Sequence, residues 1–357
     1  MLQKYLLFLL TLGMGSLSHA QAVLEANGPG DTYELINSVL APGYNVVEVP
    51  DCGHTGFGRH IDEIFDSTLS KYVFRFHIHT YPDNDRCQNF DRQRNEIKTY
   101  DKSPDSLKAV LKEEVVYTWK FKLDAGFQAS SSFTHLHQLK AVGGSESSMP
   151  SITLTARKGN PDQLELRYAE STSQTTLKKT SLTPFKGIWV QAFEQVLYDE
   201  TGLGQYAVYL TSISSGDTLF EYTNDAIRMW KTNADFIRPK WGIYRSLNDS
   251  SSLRDEQVLF ADFTIEEVGN TVSIGEALLA LGERPFYPNP ASETLGLSDA
   301  VRDTYEEMLM FAFNGQLVKK AAVSRGQVSV ADLPRGIYSV QFSGKGRRSQ
   351  AVKLVLE

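Results

Sequence analysis

Three short segments in the middle of the chain concentrate charged and titratable side chains on sequences that otherwise read as β-strands. They are Asp91–Lys98 (DRQRNEIK), Phe133–Lys140 (FTHLHQLK) and Lys240–Ser246 (KWGIYRS). Together they supply arginine, lysine, glutamate, glutamine, histidine and tyrosine. Such a set can neutralise the carboxylate of an acidic sugar and move a proton. We therefore expect an enzyme that cuts an acidic polysaccharide by elimination.

Elimination at a uronic acid residue places three demands on the protein. The C5 proton is weakly acidic while the adjacent carboxylate is ionised, so a cation or an amide donor must stabilise the developing enediolate. A base must then take the C5 proton, and an acid must protonate the leaving glycosidic oxygen. The side chains to look for are Arg, Gln or Lys beside His and Tyr on one face of a sheet.

Strand alternation sorts the first two segments into faces. Arg92, Arg94 and Glu96 share one face of the first segment, where Glu96 can hold the guanidinium of Arg94 in position. In the second segment, alternation places His135 and His137 together on one face.

The same alternation places Gln138 and Lys140 on the opposite face of the second segment. In the third segment Lys240 and Tyr244 share a face, and the lysine would favour the phenolate. Arg245 adds a cation beside the tyrosine. Lys240, Lys140, Arg92, Glu96 and Arg245 are therefore candidate substrate-binding residues.

The pattern of elements predicts an all-β protein preceded by a secretory signal. Residues 1–20 combine a lysine, an apolar run and a small-x-small site before Gln21, which is typical of a signal peptide. Regularly spaced alternating segments separated by Gly, Pro and Asn turns follow, with one helix predicted at Thr32–Leu40. We therefore expect residues 21–268 to form a β-jelly-roll sandwich of the concanavalin-like kind, and we find no later segment that is long and apolar enough to span a membrane.

A second, smaller β-sandwich is predicted over residues 286–357, after a linker at 269–285. Its ordered motifs are Tyr287-Pro-Asn-Pro290, the turn Asn314-Gly-Gln316, Leu333-Pro-Arg-Gly-Ile-Tyr338 and a final Lys353-Leu-Val-Leu356. Together they resemble the C-terminal sorting domain of type IX secretion cargo. The resemblance implies passage through the periplasm, engagement of the type IX secretion machinery, and release or attachment at the cell surface. A carbohydrate-binding or spacer sandwich is the alternative.

The order of motifs in the larger domain resembles the jelly-roll polysaccharide lyases, which include heparin lyase I, glucuronan lyase and alginate lyase groups. The motifs are Arg94-Asn-Glu96, then Gln138, then Lys240-Trp-Gly-Ile-Tyr244, within residues 45–268. The resemblance implies that Tyr244 is catalytic and that Arg94 and Gln138 bind and neutralise the substrate carboxylate.

The histidine that assists as base in such enzymes is where this sequence departs from the alginate-type pattern. There the histidine follows the glutamine by two residues, and here that position is Lys140. His137 and His135 are the candidates for the base, with a β-bulge needed to bring either to the glutamine's face. Tyr244 carrying both proton transfers, or a histidine from the strand around residues 77–79, are the other options.

The two cysteines, Cys52 and Cys87, predict one disulfide in an exported protein and have no histidine spacing that fits a zinc site. No metal is expected in the active site. Asp83, Asn84 and Asp85 make an oxygen-rich cluster that is a candidate for a structural calcium ion, with an ordinary turn as the alternative.

Composition and motif searches weigh against several other functions. The formal net charge of −7 argues against a general binder of nucleic acid, so any polyanion site must be a local basic patch. A glycoside hydrolase needs two carboxylates flanking the bond, and Asp62-Glu63-Ile-Phe-Asp66 does not match the spacing of laminarinases. A non-catalytic glycan-binding protein stays open. The expectation is an exported, endo-acting lyase; glucuronan, alginate, heparin-like chains and ulvan all present the required carboxylate.

Overall fold

The computed structural model describes residues 21–200, 202–268, 285–312, 317–344, 347–348 and 352–357. The chain divides at Val268 into two compact units, which are described separately below. The predicted signal peptide and nearly all of the predicted linker lie outside the described residues. Within the described ranges, no helix is long and apolar enough to cross a bilayer.

The first unit is a sandwich of two antiparallel sheets, as predicted. The first sheet, called the back sheet below, has the strand order β13-β12-β11-β6-β15-β4-β3, with β1 also paired to β15. The second has the order β10-β9-β8-β7-β14-β5-β2 and is called the groove sheet, because a groove lies on its outer face. The strands are β1 Gln21–Leu24, β2 Val47–Glu48, β3 Ile61–Asp66, β4 Lys71–Ile78, β5 Arg92–Lys98, β6 Glu114–Leu123, β7 Thr134–Val142, β8 Ile152–Arg157, β9 Gln163–Tyr168, β10 Thr175–Ser181, β11 Trp189–Leu197, β12 Gln205–Ser212, β13 Thr218–Asn224, β14 Phe236–Ser246 and β15 Glu256–Val268. Helix α1 spans Thr32–Leu40, and 3-10 turns lie at Asp105–Leu107, Thr183–Phe185 and Ser250–Ser252.

Alternating sequence accounts for the sandwich. Every second residue of β6 is buried, which gives the strand one core face and one partly exposed face. The core between the sheets is aromatic: Trp119 and Trp241 are almost fully buried with ring centroids 6.1 Å apart, and Phe263 packs 5.1 Å from Trp241. Helix α1 forms as predicted and buries Ile36 and Leu40 against this core.

The predicted disulfide joins Cys52 to Cys87 and ties the loop after β2 to the loop before β5. It closes a 35-residue separation, which on the chain-entropy account stabilises the fold by about 3–4 kcal/mol. We expect the double variant Cys52→Ser/Cys87→Ser to lose this amount in urea unfolding. All four tryptophans of the chain lie in the first unit, so their fluorescence follows that unit alone. An unchanged midpoint and slope would contradict a stabilising role.

The second unit holds two small antiparallel sheets. Strands β16-β17-β20 form one, and the other has the order β19-β18-β21-β22 with β23 paired to β21. These strands are β16 Phe286–Tyr287, β17 Thr294–Leu297, β18 Glu307–Ala312, β19 Leu317–Ala322, β20 Gln327–Ser329, β21 Gly336–Gly344, β22 Arg347–Arg348 and β23 Val352–Leu356, with helix α2 at Asp299–Thr304 and a 3-10 turn at Val323–Arg325. Met308, Met310, Val340, Phe342 and Leu354 are among the residues of its separate apolar core. The unit is β-rich, as the sequence predicts.

Candidate active site

A basic groove lies on the outer face of the groove sheet and encloses about 640 Å³. Eight of its lining side chains are cationic and one is acidic, so a local basic patch lies on a protein of negative net charge. The lining residues are Glu48, Arg86, Arg92, Arg94, Lys98, Ser132, Phe133, His135, Gln138, Lys140, Ser148, Met149, Pro150, Arg157, Gln174, Arg238, Lys240 and Tyr244. All three segments singled out in the sequence contribute to it.

A bulge in β7 corrects the predicted faces of the two histidines. The pairing of β7 with β8 shifts register between His135 and His137, and the pairing with β14 shifts at the matching point. The extra residue turns His135 to the groove, where it joins Gln138 and Lys140, and leaves His137 facing the core. Simple alternation therefore fails for His135, and the β-bulge considered as the alternative is the arrangement observed.

Tyr244 lies at the floor of the groove, and its phenol is surrounded by positive charge. Arg92 Nη1 donates a hydrogen bond to Tyr244 Oη at 3.0 Å, and the guanidinium of Arg94 lies 3.7 Å from the centre of the ring. The rings of Phe133 and His135 pack against the tyrosine at centroid distances of 5.1 and 5.7 Å. Negative charge that develops on the phenol oxygen would therefore be stabilised by two guanidinium groups.

A glycine allows β14 to place Tyr244 and Lys240 this close to β5. Gly242 has a φ of +148°, and a Cβ there would come within 2.1 Å of the carbonyl oxygen of Asn95. A side chain at this position would push β14 away from β5 and move both groups.

Acidic side chains beneath the groove hold the Arg94 guanidinium in place. Arg94 Nε donates to Asp85 Oδ1 at 2.9 Å, and its Nη1 donates to Glu96, as the sequence predicts. Glu48 lies 3.5 Å from the same nitrogen. Because the guanidinium is fixed from below, little conformational entropy is lost when it meets an anion.

Gln138 and Lys240 also contact the acidic side chains beneath the groove. Gln138 Nε2 donates to Glu96 Oε1, and Lys240 Nζ lies 2.8 Å from Glu96 and 2.5 Å from Glu48. Burial opposes ionisation of Glu48, but the charges of Lys240 and Arg94 outweigh it and hold the pKa of that carboxyl well below its usual range. Both glutamates therefore stay ionised and orient the donors above them.

His135 is held as a neutral imidazole. Burial, together with the nearby charge of Arg94, lowers its pKa to about 3, against the attraction of Glu96. His135 Nδ1 lies 2.7 Å from Thr155 Oγ1, and that hydroxyl donates onward to Thr153 Oγ1 at 2.9 Å. Since the Thr155 hydroxyl donates to Thr153, it accepts from Nδ1–H of His135, which leaves Nε2 as the proton acceptor.

His137 lies in the core instead of the groove. Its side chain is buried beside Trp119, with Nε2 2.8 Å from Glu194 Oε2 and Nδ1 3.0 Å from the carbonyl oxygen of Lys240. Tyr206 Oη donates to the other oxygen of Glu194 at 2.7 Å. The residue therefore belongs to a buried polar network that joins the two sheets, and the structure does not bring it together with the groove residues.

Arg245 does not line the groove either, because it follows Tyr244 on the opposite face of β14. It is buried, and it donates to Gln93 Oε1 and to the carbonyl oxygen of Arg254, each at 2.8 Å. Lys140, Arg92 and Lys240 line the groove as predicted, and Glu96 is buried directly beneath it.

The side-chain oxygens of Asp83, Asn84 and Asp85, which were the candidate calcium ligands, do not point to a common site. Asp83 faces histidines, Asp85 accepts from Arg94 and Arg86, and Asn84 Oδ1 accepts from the backbone N–H of Cys87 at 2.5 Å. The three side chains point to different partners, so the turn interpretation fits the structure. The two other histidines considered as the base, His77 and His79, do not line the groove: His77 Nε2 lies 3.1 Å from Asp62 Oδ1, and His79 Nδ1 lies 3.1 Å from Asp83 Oδ2.

Several groove residues carry no signal that sequence reasoning could use. Glu48 lies in the two-residue strand β2 and contacts Lys240, Lys98 and Arg86. Arg157 and Arg238 also line the groove, as does Phe133, which stacks on His135 at 4.8 Å. The order of the strands in the sheet brings these distant segments to one surface.

Comparisons with known proteins define the class of this chain. A family described as "Polysaccharide lyase" matches residues 70–264, and a family described as "Secretion system C-terminal sorting domain" matches residues 285–357. The chain belongs to the polysaccharide lyase family. It is a polysaccharide lyase with a type IX secretion sorting domain, which indicates an exported protein. No curated protein matches the chain in sequence.

Solved structures of polysaccharide lyases are similar to this chain at low sequence identity. The endo-β-1,4-glucuronan lyase of the fungus Trichoderma reesei is 14% identical, with a TM-score of 0.42, covering 58% of this chain and 86% of its own. The marine family 14 alginate lyase of Aplysia kurodai is 14% identical, with a TM-score of 0.47, covering 69% of this chain and 98% of its own.

Proposed function

We propose that this protein cleaves a uronic-acid polysaccharide by β-elimination in the basic groove. The observation that carries the proposal is the meeting of Tyr244, two guanidinium groups and a neutral imidazole on one groove floor. Excess positive charge in the groove suits an acidic polymer. The sorting domain supports delivery through the periplasm to the outer surface or the medium.

Each step of the elimination has a group to perform it. The Gln138 amide, the Lys140 ammonium and the fixed charge of Arg94 neutralise the uronate carboxylate and stabilise the enediolate. His135 Nε2 takes the C5 proton, and the uronate carboxylate bound beside the ring favours the imidazolium that forms. Tyr244 gives its proton to the glycosidic oxygen as the C4–O bond breaks, and the Arg92 hydrogen bond stabilises the phenolate that results.

The two glutamates at the groove do not suit hydrolysis. A glycoside hydrolase needs one carboxylic acid that stays protonated at working pH. Burial opposes ionisation of Glu96, yet the charges of Lys240 and Arg94 hold its pKa below the usual range. The same two cations hold the pKa of Glu48 below the usual range, also against the effect of burial. Neither glutamate can then donate a proton to a leaving group.

A panel of polymers tests the substrate class. We would incubate the mature chain with alginate, glucuronan, ulvan, a heparin-like chain and a neutral β-glucan, and follow the ultraviolet absorbance of the C4–C5 double bond. The expected result is rising absorbance on at least one uronate polymer and none on the glucan. New reducing ends without absorbance would contradict elimination, and binding without cleavage would favour the glycan-binding alternative.

We expect the titration of Lys140 to determine how kcat/KM changes at alkaline pH. Burial, together with the charges of Lys240 and Arg94, lowers its pKa to about 8. The lysine is therefore charged below pH 8 and loses its charge as the pH rises through that value. We expect kcat/KM on a uronate polymer to fall above about pH 8.

The variant Lys140→Arg checks this assignment, because an arginine keeps its charge over this pH range. Its kcat/KM should hold its value to higher pH than the wild-type enzyme. The exposed Lys102→Arg provides the matched control and should keep the wild-type profile. If kcat/KM fell equally above pH 8 in the wild-type and Lys140→Arg enzymes, the titration of another group would be responsible for the fall.

A further inference from the structure

Three histidines and an aspartate converge in the first unit, apart from the residues that line the groove. They are His54, His60, His79 and Asp83, and one donor atom from each lies within 4.8 Å of all the others. His60 and Asp83 have fully buried side chains, while those of His54 and His79 are about one-fifth exposed. We propose that these four residues form a closed, tetrahedral site for a divalent transition-metal ion of the zinc class.

The spacing of the donor atoms suits a tetrahedral ion. Asp83 Oδ1 lies 2.8 Å from His54 Nδ1 and 3.2 Å from His60 Nε2, and Asp83 Oδ2 lies 3.1 Å from His79 Nδ1. Metal–ligand bonds of about 2.0–2.1 Å put tetrahedral ligands about 3.3 Å apart. Because the donor atoms of the whole set lie within 4.8 Å of one another, side-chain movements of up to about 1.5 Å would complete the coordination.

The hydrogen bonds around His60 match those of a metal-bound imidazole. Its Nδ1 lies 2.8 Å from Asp51 Oδ1 while its Nε2 faces Asp83. A metal ligand commonly donates its second ring N–H to a carboxylate, which fixes the tautomer and orients the ring. Tyr33 Oη donates to the same Asp51 at 2.9 Å and holds that carboxylate in place.

The donor set selects the kind of ion and its role. Three imidazole nitrogens and one carboxylate oxygen suit zinc and its neighbours, whereas calcium and magnesium prefer oxygen ligands alone. Four protein ligands leave no open position for water, which is typical of a structural site. The ring of Phe57 packs 4.4 Å from His79 and 4.8 Å from His60 and covers one side of the cluster.

The ion would hold together the loops that support the groove. The ligands come from the segments 54–60 and 79–83, and the Cys52–Cys87 disulfide joins the same two regions of the chain. Asp85, two residues after the ligand Asp83, anchors Arg94. The core-side residue Asn95 of β5 donates to the carbonyl oxygens of His60 and His77, each at 2.8 Å. Metal binding itself does not depend on which polymer the enzyme cleaves.

Metal content of the purified mature chain tests the proposal directly. We expect about one equivalent of zinc per chain by elemental mass spectrometry, and a fall to below about one-tenth in His60→Ala/His79→Ala. His77→Asn is the matched control, because His77 lies beside the cluster but contacts Asp62, so it should keep the metal. Less than about one-tenth of an equivalent in the wild-type chain after incubation with zinc, or equal content in all three proteins, would overturn the proposal.

Cobalt substitution keeps the test decisive if the double variant does not fold. Wild-type protein stripped with a chelator and loaded with Co²⁺ should show the intense visible absorption of tetrahedral cobalt, and its Tm should rise on loading. Zinc should displace the cobalt and abolish the absorption. Weak octahedral absorption with an unchanged Tm would show an adventitious ion only and would mean that the cluster is a metal-free network of histidine and aspartate.

Discussion

Tyr244→Phe should cleave uronate polymer about 100- to 10,000-fold more slowly than the wild-type enzyme, which is the range for loss of a positioned proton donor. Phenylalanine keeps the ring under the Arg94 guanidinium and against Phe133, so the fold and much of the polymer binding should survive. The hydroxyl that accepts from Arg92 is the group removed. The loss should appear in kcat, measured by ultraviolet absorbance, with a small change in the affinity for polymer.

Tyr72→Phe is the control for this substitution. Tyr72 lies on β4 in the back sheet, where it is exposed and does not line the groove. It should cleave at the wild-type rate. A Tyr244→Phe enzyme with wild-type kcat would remove the tyrosine from the chemistry and leave the proton transfers to His135.

Substitutions of His135 and His137 should separate catalysis from stability. His135→Ala removes the neutral imidazole from the groove, and we expect turnover to fall about 100- to 10,000-fold with a modest effect on unfolding. His137→Ala leaves the buried Glu194 with the Tyr206 hydroxyl but without its ion-pair partner, which should lower the free energy of unfolding by about 3–5 kcal/mol. Turnover per folded molecule of that variant should stay within a few-fold of wild type.

Both quantities must be measured on both variants. Tryptophan fluorescence in urea gives the stability of the first unit, and absorbance gives the turnover of the folded fraction. If His137→Ala folds too poorly, His137→Gln retains a hydrogen-bond donor toward Glu194 and serves instead. A catalytic defect confined to the His137 variants, with His135→Ala fully active, would reverse the assignment.

The sequence predicts the fold well because strand alternation is a local signal. The segments 115–123 and 205–212 alternate in sequence as half-buried strands do, and they form β6 at Glu114–Leu123 and β12 at Gln205–Ser212. Helix α1 is also bounded as predicted, by Thr32 and by the Pro42-Gly43 turn. Side-chain direction fails where alternation is interrupted, as the bulge between His135 and His137 shows.

Parts of the site that depend on tertiary contacts are not readable from local patterns. Glu48 is a single acidic residue in a two-residue strand, and only the pairing of β2 with β5 brings it to Lys240. The histidine cluster draws its ligands from two segments nearly twenty residues apart, joined around Asp83 by the fold. The spacing of His79 and Asp83, four residues apart, is the one local trace of that cluster.

The most direct test compares one uronate polymer in its native form and after chemical reduction of its carboxylates to alcohols. The wild-type enzyme would be incubated with each polymer at equal concentration, and ultraviolet absorbance and new reducing ends would be followed. We predict cleavage and rising absorbance on the native polymer and neither on the reduced one, because elimination requires the acidity that the carboxylate confers on C5–H. Cleavage of both polymers at similar rates would contradict a uronate-specific elimination in this groove.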